Sequence, residues 1–274
     1  MSRLVKRAAL IVIGVLHGYG EEVTDVAAPI AVPRRQRLRA ETVADIKARA
    51  WESMRETGAA ALSLRDVARQ MGMAPSAMYR YFASRDELLT TLIVDAFDSL
   101  GEQVAREYEL SGEKGLDAFE TFMAVAHVYR RWALTHRAQW ALIFSTSLPK
   151  YNGTPETSAA AYRSFSVLQS LTADSVAAGL LDIDRIEGML SEQLRQGLGV
   201  WADMSSQDVP VGALAGSMWC YCLLNGVISL DLNGHLPPPM LGNEAFFDSA
   251  LRAMLTSLAP AAPRRARKGR PGEP

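Results

Sequence analysis

The sequence predicts an all-α protein, with a three-helix head that carries a helix-turn-helix and a larger helical domain behind it. Three observations carry that expectation. Every substantial segment beyond Gly115 repeats its apolar residues at helical spacing, and none alternates with the period of two that a half-buried strand needs. Clusters of breaker residues at 149–154, 179–182, 205–210 and 234–242 fall between those segments. Residues 63–89, SLRDVARQMGMAPSAMYRYFASRDELL, read as two short helices joined by a glycine turn and followed by the start of a long one. The expected organisation is a flexible extension over 1–33, a head with a basic arm over 34–90, a second helical domain over 91–258, and a disordered basic tail over 259–274.

The head opens on Arg34, Arg35, Arg37 and Arg39, read either as an arm along the minor groove and phosphates or as a solvated tail. A first helix is expected over 42–57. Thr42 would cap it with Asp45 three residues on, Gly58 would stop it, and Val43, Ile46, Ala50 and Met54 form its buried face. In the second helix Leu64, Val67, Ala68 and Met71 make the i, i+3, i+4, i+7 stripe, which leaves Arg65 and Arg69 for water or phosphate. Ser63 caps it. Gly72 permits a left-handed turn, and Pro75 suits a first helical turn, where its missing N–H costs no hydrogen bond.

From Pro75 the third helix buries Met78 and Phe82 and turns Ser76, Ala77, Tyr79, Arg80 and Tyr81 outward. Phenols and a guanidinium suit groove edges and phosphate oxygens. A recognition helix presents mainly its N-terminal residues to bases. Pro75, Ser76, Ala77 and Arg80 are therefore expected on base edges. Tyr79, Tyr81 and Arg85 are expected on the DNA backbone, with Ser63 and Arg65 beside them.

The run over 62–89 resembles the N-terminal domain of TetR-type transcriptional repressors. It does so through the Ser63 start, the Gly72 turn, Tyr79-Arg80-Tyr81-Phe82, and the Ser84-Arg85-Asp86-Glu87-Leu88 opening of the fourth helix. The similarity extends over roughly 41–89. One departure is Ala74, where the family commonly has a capping Ser or Thr. The resemblance implies an all-helical homodimer that binds a double-stranded DNA operator and releases it when a small molecule enters the C-terminal domain.

Charge supports the division into two tasks. The net charge is only −1, yet residues 34–90 hold 11 Lys/Arg against 7 Asp/Glu, and residues 91–258 hold 10 against 19. With 49% hydrophobic residues in 274, a sizeable core is available. Cys220 and Cys222 diverge by about 200° on a helix and cannot bridge each other, which fits a reducing cytoplasm. Neither metal-ligand spacing nor a catalytic motif is present, so no cofactor, metal site or enzymatic role is expected. The basic and apolar start of the chain (Arg3, Lys6, Arg7, then 8–16) is read as an extension rather than an export signal, and no membrane association is expected.

Ser84 and Glu87 open a long helix to about residue 109, placed to connect the DNA-reading head with everything behind it. Further helices are expected over 116–134, 137–144, 157–177, 184–201, 211–232 and 243–258. The stretch 219–236 resembles the WHG-type ligand-binding domain of some TetR regulators in its Trp219 and Gly226, with Asn225 in the His position. Met123, His127, Trp132, Trp140, Phe144, Trp201 and Trp219 are the candidate lining of an effector pocket, since pliable and aromatic side chains suit apolar ligands. Leu223, Leu224, Val227, Ile228 and Leu230, with Phe246, Phe247, Leu251, Met254 and Leu255, are expected to pair the last two long helices with a second copy. The expected function is a repressor released by a small apolar effector. The alternative is an architectural or activating DNA-binding protein with no small ligand.

Overall fold

A computed structural model describes residues 33–145, 148, 151–205 and 209–260. The expected extension up to residue 32, and the basic tail from residue 261, lie outside the described residues. Among the described residues the protein is all-helical, without strands.

Helix α1 spans Arg34–Thr57 and takes in the whole arginine row, so the expected arm is helical and Thr42 is not a cap. The cause is local. Pro33 holds the N-cap position with φ −52°, the residues after it are good helix formers, and the Thr42 hydroxyl donates back to the Leu38 carbonyl at 2.8 Å. A 3-10 turn, Ala59–Ala61, leads to α2 (Leu64–Gln70), capped by Ser63, whose hydroxyl accepts from the Asp66 N–H. Gly72, at φ +64°, makes the turn into α3 (Pro75–Met78). That helix is a single turn, and Tyr79–Tyr81 continue it as a tight turn rather than a second helical turn.

Helix α4 (Arg85–Glu113) is the spine of the molecule. Ser84 and Glu87 form its expected cap, and it packs along both α5 (Ala118–Thr135) and α7 (Pro155–Ala177). Gly101 of α4 lets α7 come close, because a Cβ there would stand 3.1 Å from the Ser164 Cα. Between α5 and α7 lies α6 (Arg137–Trp140), which widens into a π turn over Ala141–Ser145. The expected helix over 184–201 is two helices, α8 (Ile183–Gly188) and α9 (Glu192–Ser205). Leu190 dives into the core between them, and the Ser191 hydroxyl accepts from the Leu194 N–H, starting the chain afresh. Helix α10 (Val211–Leu232) is packed by α5, α7, α8, α9 and α11 (Glu244–Leu258).

Two apolar clusters result. The first, in the head, gathers Ile46, Ala50, Val67, Met78, Leu88, Leu89, Leu92 and Phe97; the second gathers Leu100, Trp132, Trp140, Ile186, Ile228, Phe247 and Leu251 behind it. Helix α4 contributes to both. Several residues expected to face a second copy belong to the second cluster instead: Leu224, Val227, Ile228, Phe247 and Leu251 are buried in their own chain. Helices α5, α7 and α8 offer α10 and α11 enough apolar surface to fill those faces from within. Large apolar side chains left uncovered behind the head include Met189, Leu194 and Val200, just before or on α9, and Leu230 on α10, with Met240 and Leu241 ahead of α11.

Candidate nucleic-acid interface and inner cavity

The helix-turn-helix presents its expected residues unevenly. Pro75, Ser76, Tyr79, Arg80 and Arg65 are exposed, Tyr79 at 49%; Ser63, Ala77 and Tyr81 are half-buried. Met78 and Phe82 anchor the segment from below. Because α3 has only one turn, its hold on the protein comes from these two side chains, from packing against α2 and from Arg39 of α1. The Arg39 guanidinium donates to the Arg80 carbonyl at 3.2 Å and lies over the Tyr81 ring, 5.2 Å from its centroid. No local pattern signals this pairing, since it joins residues 41 apart.

That pairing brings the arginine row beside the recognition segment. Arg34, Arg35, Leu38, Arg39, Thr42, Arg80 and Tyr81 line one open concavity of about 760 Å³. The first turn of α1 holds no acidic residue, so its arginines sit at the positive end of the helix dipole. Such an arrangement is favourable only when an anion faces it. Phosphate oxygens are the chemistry it fits.

Arg85 does something other than expected. Its Nε donates to the Leu62 carbonyl at 2.9 Å, and its Nη2 donates to the carbonyls of Ala59 and Ala60, each at 3.1 Å. The guanidinium thus closes the end of the 3-10 turn and fastens α4 to the α1–α2 connection. Its planar fork of donors matches a row of carbonyls, which is why it is drawn inward.

The seven residues expected to line an effector pocket are dispersed. Trp132 and Trp140 are fully buried, with indole N–H groups donating to Ser99 and Ser229. Phe144 packs on Trp140 at 4.5 Å, and Tyr129 stands edge-on to Trp140 at 5.5 Å. Met123 is core. His127 lies on the flank of α5 against Asp248, 2.8 Å away, and Glu244. Trp201 and Trp219 are half-buried on α9 and α10. These rings are largely taken up in packing within the core, and space is left elsewhere in it.

That space is a cavity of about 50 Å³ between α4, α5, α7 and α10, with none of the seven in its wall. Val104, Phe122, Val125, Tyr129, Phe165, Leu171, Cys220, Tyr221 and Leu224 are among the residues around it. At one end the Tyr129 hydroxyl donates to Asn225 Oδ1 at 3.1 Å, and the Asn225 amide donates to the Tyr221 carbonyl at 2.9 Å. Burial pushes the phenols of Tyr129 and Tyr221 well above the usual range and the Cys220 thiol up to about 12, so all three are neutral. Among the described residues no group of His, Cys, Asp and Glu could hold a metal ion.

Comparison with known proteins agrees with this geometry. Residues 46–92 match the family model of bacterial regulatory proteins of the tetR family, and residues 122–254 match that of tetracyclin repressor-like C-terminal domains. The HTH-type transcriptional regulators Rv1816 of Mycobacterium tuberculosis and Mb1846 of Mycobacterium bovis are each 34% identical over 239 residues, covering 83% of this chain and 97% of theirs. Among solved structures, SCO4313 superposes with a TM-score of 0.65 at 30% identity, over 82% of this chain and 100% of its own. A bacterial regulatory protein in the tetR family from Rhodococcus RHA1 shares the fold at a TM-score of 0.55 and 16% identity, over 81% and 99% of the two chains.

Proposed function

The chain belongs to the TetR family of bacterial transcriptional regulators, and from that premise we propose that it is a ligand-responsive repressor. Two copies bind a near-palindromic operator and leave it when a small apolar effector enters the cavity between α4, α5, α7 and α10. The observation that carries this reading is the shared basic concavity of α1 and the recognition segment. Pro75, Ser76, Ala77 and Arg80 meet base edges. Tyr79, Tyr81, Ser63, Arg65 and the α1 arginines meet the DNA backbone. The protein works where the chromosome is, in the cytoplasm.

Release follows from α4. Its first turn is fastened to the head through Arg85, and its Val104 forms part of the cavity wall. An effector that fits only one tilt of α4 shifts the pair of heads away from the spacing of successive major grooves. The second copy sits against α9 and α10, whose uncovered apolar residues include Leu194, Val200 and Leu230. On α10 the exposed positions Cys222, Gly226 and Leu230 recur every four residues and form one flank.

Fluorescence anisotropy with the DNA upstream of the protein's own gene tests the reading. Arg80→Ala and Tyr79→Ala should each abolish binding at physiological salt while helicity and oligomeric state stay as in the parent. Loss of fold in both variants, or binding that persists in both, would overturn it. A shift that responds to no compound in an apolar panel would favour the architectural alternative.

A further inference from the structure

The inner cavity does not stand alone. A second space of about 20 Å³ shares Phe122, Leu168, Leu171 and Cys220 with it, and a third of about 150 Å³ shares Phe122, Ser175, Leu181 and Leu255 with the second. Common walls put the three in a row. The widest is bordered by Phe119, Leu180 and Ala259, the smallest forms a waist where the Thr172 and Ser217 hydroxyls bond to each other, and the one at the other end of the row has Tyr129 and Tyr221 in its wall, the Tyr129 hydroxyl donating to Asn225.

We infer that this row is a channel for a single straight-chain, uncharged amphiphile such as a long alcohol, aldehyde or ester, its small polar head innermost at Tyr129–Asn225 and its tail running past the waist. The inference rests on the effector reading above and names the class of effector. Shape selects the tail. A waist that narrow between two wider spaces admits one chain of methylenes and rejects fused rings.

Charge selects the head. No Asp, Glu, Lys, Arg or His lies in the wall of any of the three spaces, so a charged head drawn inside would lose its water with no counter-ion to replace it. The ionisable groups that do line the row, Tyr129, Tyr221 and Cys220, are kept neutral by burial. The inner end nevertheless offers the phenols of Tyr129 and Tyr221, each able to donate and accept, with Asn225 behind Tyr129 fixing its hydroxyl, which suits a hydroxyl or carbonyl head. Arg252 stands outside the mouth with its guanidinium over the Phe119 ring at 5.2 Å, beyond reach of a head bound at the inner end.

Calorimetric titration without DNA, using straight-chain alcohols from octanol to tetradecanol with dodecanoate and progesterone as controls, tests the assignment. Each added methylene should tighten binding about fourfold until the channel is filled. Dodecanol should bind at least tenfold more tightly than dodecanoate or progesterone. Leu171→Trp, which blocks the shared wall, and Ser217→Leu, which closes the waist from the other side, should each remove alcohol binding while operator binding persists. Asn225→Leu should shrink the preference for dodecanol over dodecane.

Tighter binding of progesterone or dodecanoate, or alcohol binding that survives both blocking variants, would overturn the inference and leave the effector reading in place. The absence of any chain-length dependence would overturn it as well. Alcohols that bind as expected yet fail to release the operator would uphold the channel and reject the effector reading.

Discussion

Phe97 and Phe144 meet edge to face, with ring centroids 6.0 Å apart and planes at 89°. Phe97 belongs to the apolar core of the head, whereas Phe144 leans on Trp140, which in turn meets Tyr129 at the wall of the cavity. An unbroken stack of rings thus runs from the innermost end of the channel to the unit that holds the recognition segment. Trp51 of α1 packs against both cores and widens the same seam.

Truncating Phe97 to Ala is expected to cost about 3–5 kcal/mol of stability, the usual range for a buried aromatic. Urea unfolding followed by far-ultraviolet circular dichroism measures it. A decrease below about 1 kcal/mol would mean that neighbours close over the gap and that the ring pair is replaceable.

Arginines on the two sides of the head should separate by assay. Replacing Arg34, Arg35 and Arg37 with Ala should leave the melting temperature close to the parent's and flatten the dependence of log Kd on log salt by about 0.9 for each phosphate no longer neutralised. Arg85→Ala should do the reverse. Its carbonyl hydrogen bonds to residues 59–62 are worth about 1.5–3 kcal/mol in stability, and Arg85→Lys should recover little because a single ammonium cannot span them. An unchanged melting temperature for Arg85→Ala would show that water replaces the guanidinium freely.

Two glycines of α10 should respond oppositely to alanine in a single chain. At Gly212 a Cβ would stand 2.8 Å from the Ile183 carbonyl oxygen, so Gly212→Ala should destabilise by about 1–3 kcal/mol through forced separation of α8 and α10. At Gly226 nothing lies within 4 Å, and the gain in helix propensity is about 1 kcal/mol. If the flank holding Gly226 meets a second copy, Gly226→Ala should raise helix stability and weaken dimerisation together. Thermal melts and sedimentation of both variants provide the check.

The cysteines report on the same flank. Cys222 is exposed in one chain and Cys220 is buried. Near pH 8 a thiol reagent should label neither residue rapidly at high protein concentration, label Cys222 on dilution as copies separate, and label both in denaturant. Rapid labelling of one thiol at every concentration would remove α10 from the interface. A Cys220 thiol raised to about 12 in the fold, from 9.0, stabilises the folded state below its unfolded value and withdraws that stability as pH climbs past it. Alkaline unfolding should therefore begin earlier in the parent than in Cys220→Ala if the cavity tolerates that change.

The helix-turn-helix is legible in the sequence because its signals are local: Ser63 and Ser84 caps, a glycine at positive φ, and an apolar stripe completed within a few turns. The start of α1 misleads for an equally local reason, since Thr42 followed by Asp45 looks like a cap until the chain before it proves helical. The channel has no signature in the sequence at all. Its wall draws on α4, α5, α7, α10 and α11, and the residues that look pocket-like are bulky enough to fill the core themselves. Asn225 stands out as a departure from the WHG pattern, yet only its hydrogen bond with Tyr129 ties it to the wall of a cavity.

The order of amino acids by itself determined an all-helical protein, the place of its DNA-reading segment and the concentration of basic charge around it, because periodicity, capping and charge act over a few residues. Tertiary structure alone decided which arginine faces outward and which binds carbonyls, which apolar faces of α10 and α11 are spent inside the chain, and where space remains. Those outcomes depend on competition among side chains far apart in sequence for the same volume and the same hydrogen-bond partners, and that competition is settled only when the helices are packed.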